Sequence, residues 1–338
     1  MTPADYQQVM VLLHQFGDEA YAYSPIWPFR AMYPALGWLF QGLSAYRYPL
    51  PYILVAVSEG SVRGLLWLSP DGLAKSRWRI EQLIVHPDES AMDVGQLLVG
   101  YTIHHYGAQG VRTFVAKVES SCEAVLALLK ASGFRHATRI QNYYLNVDIP
   151  SQRVLKSSDN QLRLRMAHPE DRQALAELYQ DMLPPELRPS LGKVANDFKR
   201  SPLCVLSDPL SGLSYHRWLA SESGVMMSVE MLTIGYQTFH LGFASPIGLS
   251  GVAKPLLDAA LQKVHQTSNR PILHARAYEF QKELQVAIAA EGFAWGSSTE
   301  VLVCDYWRPL PQSPLEGIAP LQGVLALFGG KTSPACLR

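Results

Sequence analysis

Residues 80–98 read IEQLIVHPDESAMDVGQLL: an apolar strand, a His-Pro, a short polar turn, and a glycine that opens an apolar helix. A strand that runs through a turn into a helix leaves the first backbone N–H groups of that helix unpaired. Those groups, with the helix dipole, make a place for a phosphate. A similar succession recurs at 236–257, YQTFHLGFASPIGLSGVAKPLL. A chain that carries this unit twice is constrained to an architecture that repeats.

The rest of the chain follows the same order in both halves. PYILVAVSEGSVRGLLWLSP (51–70) reads as a β-hairpin turning near Glu59-Gly60, and YHRWLASESGVMMSVEML (215–232) as one turning near Ser223-Gly224. After each strand–loop–helix unit comes a short strand, RTFVAKV (112–118) or PILHARA (271–277). Each leads to a helix ending in Gly-Phe, CEAVLALLKASGF (122–134) or LQVAIAAEGF (284–293). The glycine there reads as a left-handed helix cap that folds the phenylalanine back on the core. A final strand closes each half, IQNYYLNVDI and TEVLVCDYW. Strands alternating with helices in this way predict a mixed α/β sheet.

A length of 338 residues suits two domains of about 150 residues each. Polar, turn-rich residues at 150–160 separate a first domain, 1–149, from a second, 161–308; a Pro- and Gly-rich tail fills 309–338. The second half opens with an alternating strand, QLRLRMA, before its first helix. The first half starts directly at a helix, with Thr2 and Asp5 as N-cap and N3 partner, and so lacks that opening strand. Lys plus Arg and Asp plus Glu balance at 29 each, so no basic excess points to nucleic acid or an anionic membrane. No apolar run approaches the ~18–20 residues that span a bilayer. The N-terminus lacks signal-peptide features, and four scattered cysteines form no C-x-x-C pair. A metal site is therefore not expected, and a reducing cytoplasm is the default location.

The order of residues at 80–98 resembles the acetyl-CoA loop of the GNAT acyltransferase superfamily, in which a "V-x-P" strand end precedes Arg/Gln-x-x-Gly-x-Gly/Ala. The repeated order of elements resembles two such domains in tandem, an arrangement also found in the mycothiol synthase family. That resemblance implies an N-acetyltransferase moving an acetyl group from acetyl-CoA, as substrate, to an amine of a small molecule or protein. The alternative is a catalytically silent protein of the same fold that binds a ligand or serves assembly.

At the matching loop positions the first half has Ser90, Asp93 and Gly95, and the second has Gly248, Gly251 and Ala253. Asp93 places a like charge beside the expected pyrophosphate, a cost on the order of 4 kcal/mol at ~4 Å and an effective ε near 20, so loop chemistry favours the second half as the cofactor site while the first keeps the better base candidate. The resemblance implies cofactor contacts at Ile84, Val85, Val94, Gly95 and Gln96 in the first half. In the second it implies Phe243, Ala244, Gly248, Ser250, Gly251, Val252, Ala253 and Lys254. Glu81, in the family's E-x-L-x-V-x-P position, is the first candidate base, and His240, aligned through the prolines, the second. The family's usual acid tyrosine is replaced by Leu129 and Ile288, leaving Tyr143, Tyr144 and Tyr278 as neighbours. Cys122 stands at a helix start, where a thiol can be activated. The aromatic insert 17–51 is expected to cover the acceptor side, as a pocket lining or as a packed lid.

Overall fold

The computed structural model describes residues 7–9, 11–12, 52–71, 76–146, 162–199, 212–222, 224–235, 237–268 and 270–306. The insert at 17–51, the Thr2–Asp5 cap, the 150–160 linker and the 309–338 tail lie outside the described residues. The hairpin is β1 (Tyr52–Ser58) and β2 (Ser61–Pro70), and Glu59 and Gly60 turn it with φ of 52° and 76°. Then come β3 (Arg77–Val85), α1 (Ala91–Ala108), β4 (Thr113–Glu119), α2 (Glu123–Ala131) and β5 (Arg135–Asn146). The second half holds β6 (Arg165–Met166), α3 (Arg172–Met182), β7 (Leu213–Glu222), β8 (Val225–Ile234) and β9 (Thr238–Ala244). It ends with α4 (Ala253–Thr267), β10 (Ile272–Tyr278), α5 (Lys282–Ala290) and β11 (Ala294–Asp305).

The helix ends follow from local chemistry. Gly133 and Gly292 sit at φ of 93° and 86°, directly after α2 and α5. The Phe134 and Phe293 amides reach back to the carbonyls of Leu129 (3.0 Å) and Ile288 (3.3 Å), which is the Schellman closure of a helix. Both phenylalanines are buried.

All eleven described strands form one sheet in the order β1-β2-β3-β4-β11-β5-β10-β9-β8-β7-β6. The strands that close the two halves are exchanged. β11 inserts between β4 and β5, antiparallel to both, while β5 pairs with β10. Each closing strand thus completes the hydrogen bonding of the other half's short strand, and the β5–β11 pair forms the centre of the sheet.

One sheet face carries α1, α2, α4 and α5. Beneath α1 and α2 lie Leu66, Leu68, Ile80, Phe114, Ala116, Val118 and Leu302. Beneath α4 and α5 lie Met227, Val229, Phe239, Leu241, Leu273 and Ala275. On the opposite face, Val9 and Leu12 of the first helix cover Val55, Val62, Leu65 and Ile84. There α3 and the segment after it pack Leu175, Leu178, Met182 and Phe198 against Leu219 and Ala244. Side chains alternate across a strand, so this second face receives the charged residues of the central strands. Among the described residues no helix is long and apolar enough to cross a membrane.

Candidate active site

The parallel pair β3–β4 is joined only over Arg77–Ile80 and Thr113–Ala116. Beyond Ile80 and Ala116 the two strands part. The pair β9–β10 behaves alike: it is joined over Thr238–Leu241 and Ile272–Ala275 and then opens. Each half thus contains a V-shaped opening in the sheet, next to the start of a helix.

The first opening begins at Glu81. Here the β2–β3 ladder skips a residue, pairing Trp67 with Gln82 and Leu68 with Ile80, so Glu81 is a β-bulge. A bulge leaves its residue outside the ladder and re-aims its side chain. Glu81 is buried, accepts a hydrogen bond from the Ser69 hydroxyl, and pairs with Arg79 at 2.6 Å. Arg79 also lies 3.8 Å from Asp71, which pairs with Arg77 at 2.7 Å. Burial opposes the Arg79 charge, but Glu81 and Asp71 outweigh it and raise its pKa above the usual guanidinium range. Burial likewise opposes ionisation of Asp71, and Arg79 and Arg77 reverse this, holding its carboxyl well below the usual range.

His240 stands elsewhere than its proline alignment implies. It is still within the joined part of β9–β10, opposite His274, and the second opening begins two residues later at Gly242. The His240 and His274 rings stack at 4.6 Å. Burial, then Arg276 and His274, push the His240 pKa down to about 3, so it is a neutral imidazole at physiological pH. The β8–β9 ladder runs without a bulge. The carboxylate beside the second opening is Glu230, opposite Gly242 on β8. Glu230 accepts from Tyr179 and pairs with Arg217 at 2.6 Å. Burial opposes its ionisation, yet Lys193 and Arg217 bring its pKa to about 2. Sequence reasoning passed over Glu230, although a lone acid in the apolar run VMMSVEMLTI was a signal.

The two helix starts differ in what already occupies them. At α1, Ser90 is the N-cap, and its side chain accepts from the Asp93 amide at 3.3 Å. Asp93 is exposed in the first turn. Gly95 lets α1 and α2 approach closely: a Cβ there would lie 2.3 Å from Leu128 Cδ1 on α2, so that side chain would have to shift. Val94 packs under β2, and the Gln96 amide reaches Met92 Sδ at 3.3 Å. Ile84 is buried toward the first helix and Val85 packs on the opposite core. Among the described residues no side chain bonds to the backbone of residues 82–85, and their edge toward β4 carries no ladder.

At the second opening the protein's own groups fill these positions. The Gln281 amide donates to the Phe243 carbonyl at 3.3 Å, and the Gly251 amide donates to Glu283 at 2.9 Å. Lys254 is paired with Glu291 at 2.5 Å and Asp258 at 3.3 Å. Gly248 and Gly251 adopt left-handed φ of 83° and 79°, which a glycine takes without strain. Phe243, Ala244, Val252 and Ala253 are buried, and Ser250 is exposed. Of the remaining candidates, Cys122 stands at the N-cap of α2 and makes no capping bond. Tyr143 is buried and bonded to Gln141, and Tyr144 is exposed. Burial, with Asp71 and Glu230 in support, pushes Tyr278 up to about 12. Leu129 and Ile288 are core residues.

Residues 14–134 match the model of the GNAT acetyltransferase family. A tandem GNAT protein from the clavulanic acid biosynthesis pathway, solved without AcCoA, has a similar structure. Its TM-score is 0.55 at 15% identity, over 90% of this chain and 95% of that one. A GCN5-related N-acetyltransferase from Sphaerobacter thermophilus gives a TM-score of 0.53 at 13% identity, over 91% of this chain and 93% of that one. At these identities the structural likeness speaks to the fold. No curated protein matches by sequence. The family match lies in the first half, at residues 14–134, and over nearly its whole length the chain has the fold of two GNAT-like domains in tandem.

Proposed function

We propose that the chain moves an acetyl group from acetyl-CoA to an amine of a small molecule or protein, and that it does so at the opening between β3 and β4. The observation that carries this reading is the bulge that sets Glu81 at the mouth of that opening. Three tasks are then divided among this chain's groups. The unpaired edge of residues 82–85 holds the extended amide-bearing arm of acetyl-CoA by backbone hydrogen bonds. The first N–H groups of α1 take its pyrophosphate. Glu81 accepts the proton of the attacking ammonium, directly or through one water, the new C–N bond replaces the thioester C–S bond, and CoA leaves as a thiolate that takes its proton from solvent; Arg79 and Ser69 hold the Glu81 carboxylate in place. The second opening, already filled by Gln281, Glu283 and the Lys254 pairs, serves as scaffold.

A second reading has two observations in its favour: the Glu81 carboxylate is engaged by Arg79 and Ser69, and both tyrosine-equivalent positions hold apolar residues. In that reading the fold binds acetyl-CoA and transfers nothing. Mass spectrometry of an amine panel incubated with acetyl-CoA separates the two. Acetylated product that disappears in Glu81→Gln supports transfer; binding without any product supports the silent reading.

A further inference from the structure

Arg77, Arg79 and Glu81 stand on the sheet face away from α1 and α2, because Trp78 and Ile80 between them lie beneath those helices. With Asp71, just past the hairpin, they form a line of alternating charge. Arg79 Nη2 lies 2.6 Å from Glu81 Oε1, and Arg79 Nη1 lies 3.8 Å from Asp71 Oδ1. Asp71 Oδ2 accepts from Arg77 Nε at 2.7 Å. The last link crosses between the halves: Arg77 Nη2 donates to Asp197 Oδ2 at 3.1 Å, in the segment after α3.

Both ends of the line are anchored. Arg77 is buried and engaged along its whole fork, since Nη1 donates to the Gly192 carbonyl while Nε and Nη2 serve the two carboxylates. A guanidinium so engaged keeps one orientation. On the second half, the Asp197 side chain is 4% exposed, and its Oδ2 also accepts from the Val194 amide at 3.0 Å. Gln180 of α3 donates to the Lys193 carbonyl at 3.2 Å, and the buried Phe198 ring packs against Tyr179 at 5.2 Å. Arg77 divides its charge between Asp197 and Asp71. Asp197 therefore sets how strongly Asp71 draws on Arg79, and so how fully Arg79 serves Glu81.

We infer that Asp197 and Arg77 are positioning residues for Glu81, through which the second half sets the orientation and charge environment of the carboxylate in the first. This rests on the transfer reading for the role of Glu81 as base; the line of ion pairs does not. It gives the second half, whose own opening is filled, a task in the reaction. Lys117 of β4, Lys193 of the segment and Tyr278 of β10 also act electrostatically on Asp71 or are acted on by it, and Arg276 of β10 acts on Lys117. All four stay unchanged in the test.

The test is an NMR titration of the labelled Glu81 carboxylate in the whole chain, its signal identified by its loss in Glu81→Gln. Asp197→Asn leaves Arg77 wholly to Asp71, which frees Arg79 for Glu81. The Glu81 midpoint is then expected to fall by roughly half a unit, since a stronger opposite charge favours the carboxylate. Arg77→Gln does the reverse: Asp71 draws Arg79 away, and the midpoint is expected to rise by roughly one unit. Asp197→Glu, which restores the charge, should return the midpoint toward that of the parent. Both disruptive variants cut the same tie between the halves, so a merely structural tie moves the midpoint in one direction in both, or in neither. Each variant is read against the parent chain, so one that folds suffices. Opposite shifts support the proposal; shifts of one sign, or none, overturn it. A parent chain that acetylates no amine would overturn the transfer reading, and opposite shifts in that chain would still establish the line.

Discussion

Glu81 and Lys117 occupy matching positions on the two arms of the first opening, each the first residue after the last joined pair, Ile80 and Ala116. One is a carboxylate fixed by an ion pair and a hydroxyl; the other is an ammonium with no carboxylate partner among the described residues.

Glu81→Gln keeps the shape and the Ser69 contact but removes the base. We expect kcat to fall by about 10²–10⁴-fold with acetyl-CoA affinity nearly unchanged. Losing one member of a buried pair also destabilises, by about 3–5 kcal/mol at most. Steady-state kinetics together with urea denaturation separate the two effects. An active Glu81→Gln enzyme removes Glu81 from the mechanism.

Gly95→Ala is expected to destabilise by about 1–3 kcal/mol, because the new methyl meets Leu128 at 2.3 Å. The cost is one of space, so a smaller residue at 128 should offset part of it. A double-mutant cycle with Leu128→Ala checks this. Strict additivity of the two changes would show that helix packing is not the reason for glycine at 95.

Asp93 stands in the first turn of α1, where a carboxylate stabilises the helix and repels a bound phosphate. Asp93→Asn should therefore move two measurements in opposite directions. Acetyl-CoA affinity rises by about two- to fivefold at low ionic strength, and the gain shrinks with salt. Thermal stability falls slightly. Unchanged affinity at low salt would place the pyrophosphate away from α1.

His240 gives a pH signature. Its folded-state pKa is depressed to about 3 from 6.5, by burial, then Arg276 and His274. The unfolded chain takes up this proton near pH 6.5 and the folded chain does not. Its contribution to stability is thus fully present above pH 6.5 and is lost as pH falls toward 3. Denaturation midpoints measured from pH 7 to 4 should fall less steeply in His240→Gln. Equal slopes would mean that His240 titrates normally.

Much of the local structure is legible in the sequence. Glu59-Gly60 turns the first hairpin, and Gly133-Phe134 and Gly292-Phe293 close α2 and α5, because these are short-range effects of backbone freedom and one buried ring. The strand exchange is not legible. β5 and β11 are both long strands that follow a Gly-Phe cap, and nothing within either records which short strand lies beside it. Pairing partners are decided by the whole sheet. The bulge at Glu81 is hidden for a related reason: no glycine marks it, and it shows only as a skipped position against β2. That bulge and the shorter run from Gly242 to Pro246 are why an alignment through the prolines sets His240 opposite Glu81, while strand pairing sets Gly242 there. Glu230 is the single charge in an apolar strand, and its partners Tyr179 and Arg217 lie on other elements that its own strand does not reveal.

We expect acetyl-CoA in the first opening and not in the second. The most direct test is a calorimetric titration of the whole chain and of Gly251→Asp with acetyl-CoA. Asp tolerates the left-handed backbone at 251 better than most residues, and its charge would repel a phosphate at α4. One equivalent is expected to bind both proteins with the same affinity. No binding at millimolar acetyl-CoA, or binding lost in Gly251→Asp, would contradict it.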